Sequence, residues 1–137
     1  YRALAEIDPK DSIFFRDNFE KLLDRIDAVD TSIRETLTKD KSQSFLIYHP
    51  ILTYFANDYK LHQIAMEEEG REPSAAQLRN VIVEARKMGV KTFFVQSEFA
   101  NRNVDVVVKE TQAVKATINP LGYHWDKEML NVAKCLR

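Results

Sequence analysis

The sequence predicts an α/β fold: a four-stranded parallel sheet flanked by helices and preceded by a long helix. Three observations carry this. Short apolar runs alternate with helical stretches in the order α, then β-α-β-α-β-α-β-α, the pattern of a parallel sheet with helices on both faces. The strand candidates are near-continuously apolar, as burial on both sides requires. The chain has 137 residues, a length that suits one domain and leaves two poorly buried.

The elements follow in order. Tyr1 to Ile7 reads as the end of a helix already under way, so the sequence is expected to be a fragment of a longer protein. Pro9 and Asp11-Ser12 punctuate it. From about Asp11 to Lys39, Phe15, Phe19, Leu22, Ile26, Val29, Ile33 and Leu37 recur at spacings of three and four, an apolar stripe on one long helix. Lys39-Asp40-Lys41-Ser42 breaks the pattern. Phe45-Leu46-Ile47-Tyr48 is the first strand, and Pro50 fits the first turn of a short helix reaching about Asn57. Ile64-Ala65-Met66 is the second strand. Ser74 is a candidate N-cap for a helix through Met88, closed by Gly89. Thr92 to Val95 is the third strand, Asn101 to Glu110 a helix, Val114 to Ile118 the fourth strand, and Asp126 to Leu136 the last helix.

Composition removes several function classes. Twenty basic against twenty-one acidic residues leave a net charge of -1, so no nucleic-acid partner is expected. No apolar run approaches the roughly 20 residues of a membrane-spanning helix. Cys135 is the single cysteine and can form neither an internal disulfide nor a four-thiolate metal site. There is no glycine-rich phosphate loop and no nucleophile elbow, and the only glycines are Gly70, Gly89 and Gly122. No complete catalytic constellation is present.

In parallel α/β sheets ligands sit beyond the carboxyl ends of the strands, so the segments beginning at His49, Glu67, Gln96 and Asn119 are the ones to watch. His49 can bind a metal through one ring nitrogen while a carbonyl or carboxylate holds the other. Its plain reading is a surface or helix-capping histidine. Asn119 can offer a carbonyl oxygen to a cation, although Asn119-Pro120-Leu121-Gly122 also has the composition of a simple turn. Glu67-Glu68-Glu69 can hold a hard cation such as magnesium, or be a solvated charge run. Glu98 adds another carboxylate after the third strand. His62, placed just before the second strand and away from His49, reads as structural or exposed. His124 and Trp125 follow the Asn119 loop and either reach the site or pack. Tyr54 and Phe55 are assigned to the core or a cleft wall.

Taken together, four segments resemble one family. Tyr48-His49-Pro50-Ile51-Leu52-Thr53-Tyr54-Phe55 resembles the "H-x-A-F-x-Y-F" segment of ZnuA/TroA-like metal-binding proteins, the substrate-binding components of zinc and manganese ABC importers. Glu69-Gly70-Arg71-Glu72-Pro73-Ser74 with Gln77-Leu78 resembles "E-G-K-E-P-S-x-x-Q-L". Phe93 to Phe99 resembles "I-F-x-x-P-Q-F", and Ile118 to Gly122 resembles "L-D-P-L-G". The four motifs stand in the family's order and spacing, and the resemblance covers essentially the whole chain.

The resemblance implies two α/β lobes with a metal between them. Residues 1–8 would be the end of the helix joining the lobes, and 9–137 the C-terminal lobe. The N-terminal lobe, with two further histidine ligands, would lie outside this sequence. His49 matches the family's ligand on this lobe. Histidine there goes with zinc and glutamate with manganese, in line with the preferences of imidazole and carboxylate, so zinc is the expected ligand and manganese the lesser candidate. Asn119 stands where the family commonly has a fourth ligand, Asp, and offers a neutral, poorer donor. Ser97 and Glu98 depart from the family's Pro and Gln. The resemblance further implies an ABC permease as partner, no catalysis, and a periplasmic or otherwise extracytoplasmic site of action, with or without a lipid anchor. The alternative left open by the residues is a flavodoxin-like enzyme or signalling domain that uses rim carboxylates and a divalent cation.

Overall fold

The computed structural model describes residues 1–38, 44–67, 70, 72–96 and 102–137. A short helix α1 (Arg2–Ile7) and a 3₁₀ turn (Pro9–Asp11) lead into α2 (Ser12–Thr38). Then follow β1 (Ser44–Ile47), α3 (Thr53–Asp58), β2 (His62–Ala65), α4 (Ala75–Lys87), β3 (Thr92–Gln96), α5 (Arg102–Thr111), β4 (Val114–Ile118) and α6 (Trp125–Cys135). The four strands form one parallel sheet in the order β2-β1-β3-β4. This is the predicted architecture. The expected break at Lys39 to Ser42 and the expected helix start at Asn101 lie outside the described residues.

Both faces of the sheet are apolar and covered. Phe45, Ile47 and Phe94 point to one side, where they meet Ile33 of α2, Phe55 of α3 and Val132 and Ala133 of α6. Leu46, Ile64, Phe93 and Val95 point to the other, against Ala85 of α4 and Val104 and Val107 of α5. Phe45 and Phe94 meet edge to face at 5.4 Å across the β1–β3 junction, a geometry favoured by the ring quadrupoles. The chain leaves β1 for β2 on one side and later returns to place β3 on the other. The direction of winding therefore reverses between β1 and β3, and that crevice is where such sheets bind ligands.

Local signals explain most element boundaries. Ser74 caps α4 reciprocally: its Oγ accepts from the Gln77 N–H at 3.3 Å, and Gln77 Oε1 accepts from the Ser74 N–H at 2.9 Å. This is a capping box. Gly89, at φ +63°, closes the helix in the left-handed region that glycine tolerates. Two expectations need correction. Pro50 does not open α3. Residues 49–52 form a turn in which the Ile51 N–H bonds the His49 carbonyl at 2.8 Å, and the helix begins at Thr53, whose hydroxyl donates to the Pro50 carbonyl at 2.8 Å. His62 is the first residue of β2 rather than its predecessor, because it pairs with Ser44 and extends the ladder to the full length of β1.

The long helix α2 packs into the hydrophobic core only near its C-terminal end. Its 27 residues span about 40 Å, against about 15 Å for the strands. Within the predicted stripe Ile33 is buried, and Val29 and Leu37 pack against the core. Phe19, Leu22 and Ile26 of the same stripe are exposed, as are Ile13, Phe14 and Leu23. Among the described residues no helix is long and apolar enough to cross a membrane. Two polar clasps hold the anchored part. Tyr59 Oη donates to Asp30 Oδ1 at 2.7 Å, and Arg34 Nε donates to Asp30 Oδ2 at 2.8 Å, with the guanidinium over the Tyr59 ring. Arg34 and Tyr59 together hold the Asp30 carboxyl below the usual carboxylate range, while burial and then Asp30 push the Tyr59 phenol up. Farther along, Arg25 bonds Asp126 at 2.6 Å and lies over Trp125, tying α2 to the start of α6. Arg25 is the main reason the Asp126 carboxyl is held below its ordinary range.

A carboxyl depressed in the folded state contributes stability above its unfolded pKa, about 3.9 for aspartate, and loses that contribution as pH falls through the folded value. Asp126→Asn is therefore expected to lower the melting temperature at pH 7. The difference from wild type should shrink as the pH is taken below the aspartate range, as thermal melts followed by circular dichroism at a series of pH values will show.

Candidate metal centre

The carboxyl ends of the four strands form a rim, and backbone bonds extend the sheet into it. The Tyr48 N–H donates to the Phe94 carbonyl at 3.0 Å, the Met66 N–H to the Ile47 carbonyl at 2.8 Å, and the Glu67 N–H to the Tyr48 carbonyl at 2.9 Å. His49 and Glu67 thus leave the sheet side by side. His49 Nδ1 lies 3.2 Å from Glu67 Oε2. The histidine side chain is 42% exposed and the glutamate only 9%. Burial makes a lone charge costly, so a carboxylate at this depth requires a hydrogen-bond donor. The His49 ring stands in that place.

Gln96 ends β3 opposite Ile118. Its Oε1 is buried and meets no hydrogen-bond donor among the described residues. An acceptor in that state suits a cation or a water. Asn119 follows β4 directly. Its backbone N–H donates to Glu128 Oε1 at 3.0 Å, and its carbonyl accepts from the Gly122 N–H at 3.1 Å. The asparagine loop is therefore a turn fastened to α6. Because β3 lies between β1 and β4, His49 and Asn119 start from strands about 10 Å apart. That separation lets two side chains converge on an ion between them without touching each other.

The remaining candidates are dispersed. His62 lies at the opposite end of the sheet, exposed and 3.1 Å from Glu84 Oε1. His124 is exposed at the start of α6, its ring edge-on to Tyr123. Phe55 is buried in the core as expected, whereas Tyr54, at 85% exposure, is not part of the core. Leu121 and Tyr123, in the loop after β4, are 93% and 92% exposed. Glu68, Glu69, Arg71, Ser97, Glu98 and Phe99 lie outside the described residues. Among the described residues no group of three or more His, Cys, Asp and Glu side chains is placed to hold an ion. Sequence reasoning counted Glu67 in a carboxylate run and missed that it pairs with His49. The signal available was its position directly after the second strand, at the start of a rim segment.

Comparison with known proteins sets this geometry in a family. The model of the zinc-uptake complex component A, periplasmic, matches residues 1–129, and the chain belongs to that family. The zinc-binding lipoprotein AdcA of Streptococcus pneumoniae serotype 4 (strain ATCC BAA-334 / TIGR4) is 27% identical over 109 residues, which cover 78% of this chain and 22% of that protein. The high-affinity zinc uptake system protein ZnuA of Bacillus subtilis (strain 168) is 24% identical over 120 residues, 86% of this chain and 38% of that protein. A crystal structure of ZnuA superposes with a TM-score of 0.91 at 28% identity, over 97% of this chain and 52% of that one. The chain thus spans about half the length of the solved ZnuA and less of the other two relatives. These relatives are named for zinc uptake and zinc binding.

Cys135 stands apart from the rim, at the end of α6. Burial first, and the Glu128 charge second, push its thiol up. Since the thiolate is the reacting species, Cys135 is expected to react with a disulfide reagent at pH 8 more slowly than free cysteine. A time course of thiol absorbance checks this.

Proposed function

We propose that this chain is the metal-binding C-terminal lobe of an ABC-importer substrate-binding protein that captures zinc outside the cytoplasmic membrane and delivers it to a permease. In this reading residues 1–8 end the helix joining the lobes, 9–137 form the lobe, and an N-terminal lobe supplies the other ligands. His49 is this lobe's main ligand, and Asn119 is a weaker oxygen donor facing it. The chemistry is ligand exchange: zinc trades water for imidazole nitrogens, and no covalent bond is made or broken. Zinc is preferred to manganese because the donor is imidazole.

The observation that carries the reading is the placement of His49 beyond β1, at the reversal of winding, in a chain of this family. Two further features support it. The described residues bring one imidazole to the rim, whereas zinc takes four ligands, so completion from an opposing lobe follows naturally. Tyr54, Leu121 and Tyr123 expose apolar surface on segments that follow the strand ends, and the first half of α2 exposes more. Such surfaces mark an interaction face, here for the other lobe.

Calorimetric zinc titration of this chain and of the two-lobe protein tests the proposal. The two-lobe protein is expected to bind tightly and this chain at least 100-fold more weakly. His49→Ala in the two-lobe protein should weaken binding by a comparable factor, and Asn119→Asp should tighten it. Tight binding by the chain alone, or unchanged affinity in His49→Ala, would contradict the assignment.

A further inference from the structure

We infer that Glu67 is a positioning residue that fixes the tautomer of His49, holding the proton on Nδ1 so that Nε2 carries the lone pair offered to the metal. This rests on the reading of His49 as the metal ligand and names the group that orients it.

A carboxylate accepts hydrogen bonds and does not donate them, and a neutral imidazole has one N–H and one lone pair. A bond between His49 Nδ1 and Glu67 Oε2 at 3.2 Å therefore requires the proton on Nδ1. The lone pair is then on Nε2, at the far side of the ring from the glutamate. The exposures agree with this division: the glutamate is buried and the histidine is 42% exposed, so the partner lies inside and the ring reaches outward.

The arrangement is built by the backbone, not by a flexible surface contact. The Glu67 N–H bonds the Tyr48 carbonyl, which sets the glutamate one ladder step from His49. Gly70, at φ +76°, borders the carboxylate: a Cβ there would lie 3.7 Å from Glu67 Oε1. On its other side Glu67 borders a cleft of about 300 Å³ between the end of β2 and α4, lined also by Gln77 and Asn80. A ring fixed in one tautomer and one orientation needs no reordering when the ion arrives. Loss of such an outer carboxylate typically weakens metal affinity about 10- to 100-fold.

Two measurements test the inference. Long-range ¹H–¹⁵N correlation spectra of the metal-free chain at pH 8 report the tautomer of each histidine ring. His49 is expected in the Nδ1–H form in the wild type and to shift towards the Nε2–H form in Glu67→Ala. Zinc titration of the two-lobe protein should show Glu67→Leu, which keeps the bulk of the buried side chain and removes the acceptor, weakened by about 10- to 100-fold, with its melting temperature close to wild type. A wild-type His49 in the Nε2–H form would overturn the inference. So would zinc affinity unchanged in Glu67→Leu while His49→Ala loses it. If His49→Ala itself binds zinc as wild type does, the metal reading falls and takes this inference with it. That variant alone separates the two failures.

Discussion

Three backbone hydrogen bonds carry the parallel ladder past its last strand residues, and the rim is built on them. They join Tyr48 to Phe94, Met66 to Ile47 and Glu67 to Tyr48. Without them the segments after β1 and β2 would diverge as loops. With them His49 and Glu67 leave the sheet in register, at the reversal between β1 and β3. A side chain held by strand ends is positioned more accurately than one on a free loop. The core makes this possible: Phe45, Phe93 and Phe94 are fully buried on the strands that carry the ladder.

The two ends of α2 meet different conditions. Its last three turns are held by Ile33 in the core and by the Asp30–Tyr59–Arg34 clasp. Its first half reaches beyond the sheet and exposes Phe14, Phe19, Leu22 and Ile26. An amphipathic helix gains most of its stability by burying its apolar stripe. Half of this stripe is buried by the lobe itself, and the remainder is surface suited to a second body. The same division appears at the rim, where Tyr54 and Tyr123 face outward while Phe55 is buried.

Much of the fold was legible because alternation of strand and helix is a strong signal, and because Ser74 and Gly89 mark the ends of α4 with capping chemistry that depends only on neighbours in sequence. The strand-end positions of His49 and Asn119 were legible for the same reason. Other features depend on partners distant in sequence. That β2 lies beside β1, and so brings Glu67 to His49, is a property of strand order. The pairing of Ser44 with His62, which draws His62 into the strand, is equally nonlocal. Tyr54 and Phe55 are adjacent aromatics with no local distinction, and the direction of α3 decides which of them is buried. At Pro50 a local rule was outweighed by the turn that returns the Ile51 N–H to the His49 carbonyl, after which the helix begins at Thr53.

The central claim is that one imidazole of this lobe, His49, ligates the metal. Zinc-edge X-ray absorption of the two-lobe protein loaded with one equivalent of zinc tests it most directly, by counting imidazole ligands in wild type and in His49→Ala. The account predicts one imidazole fewer in the variant, replaced by an oxygen donor. An unchanged imidazole count in zinc-loaded His49→Ala would contradict it.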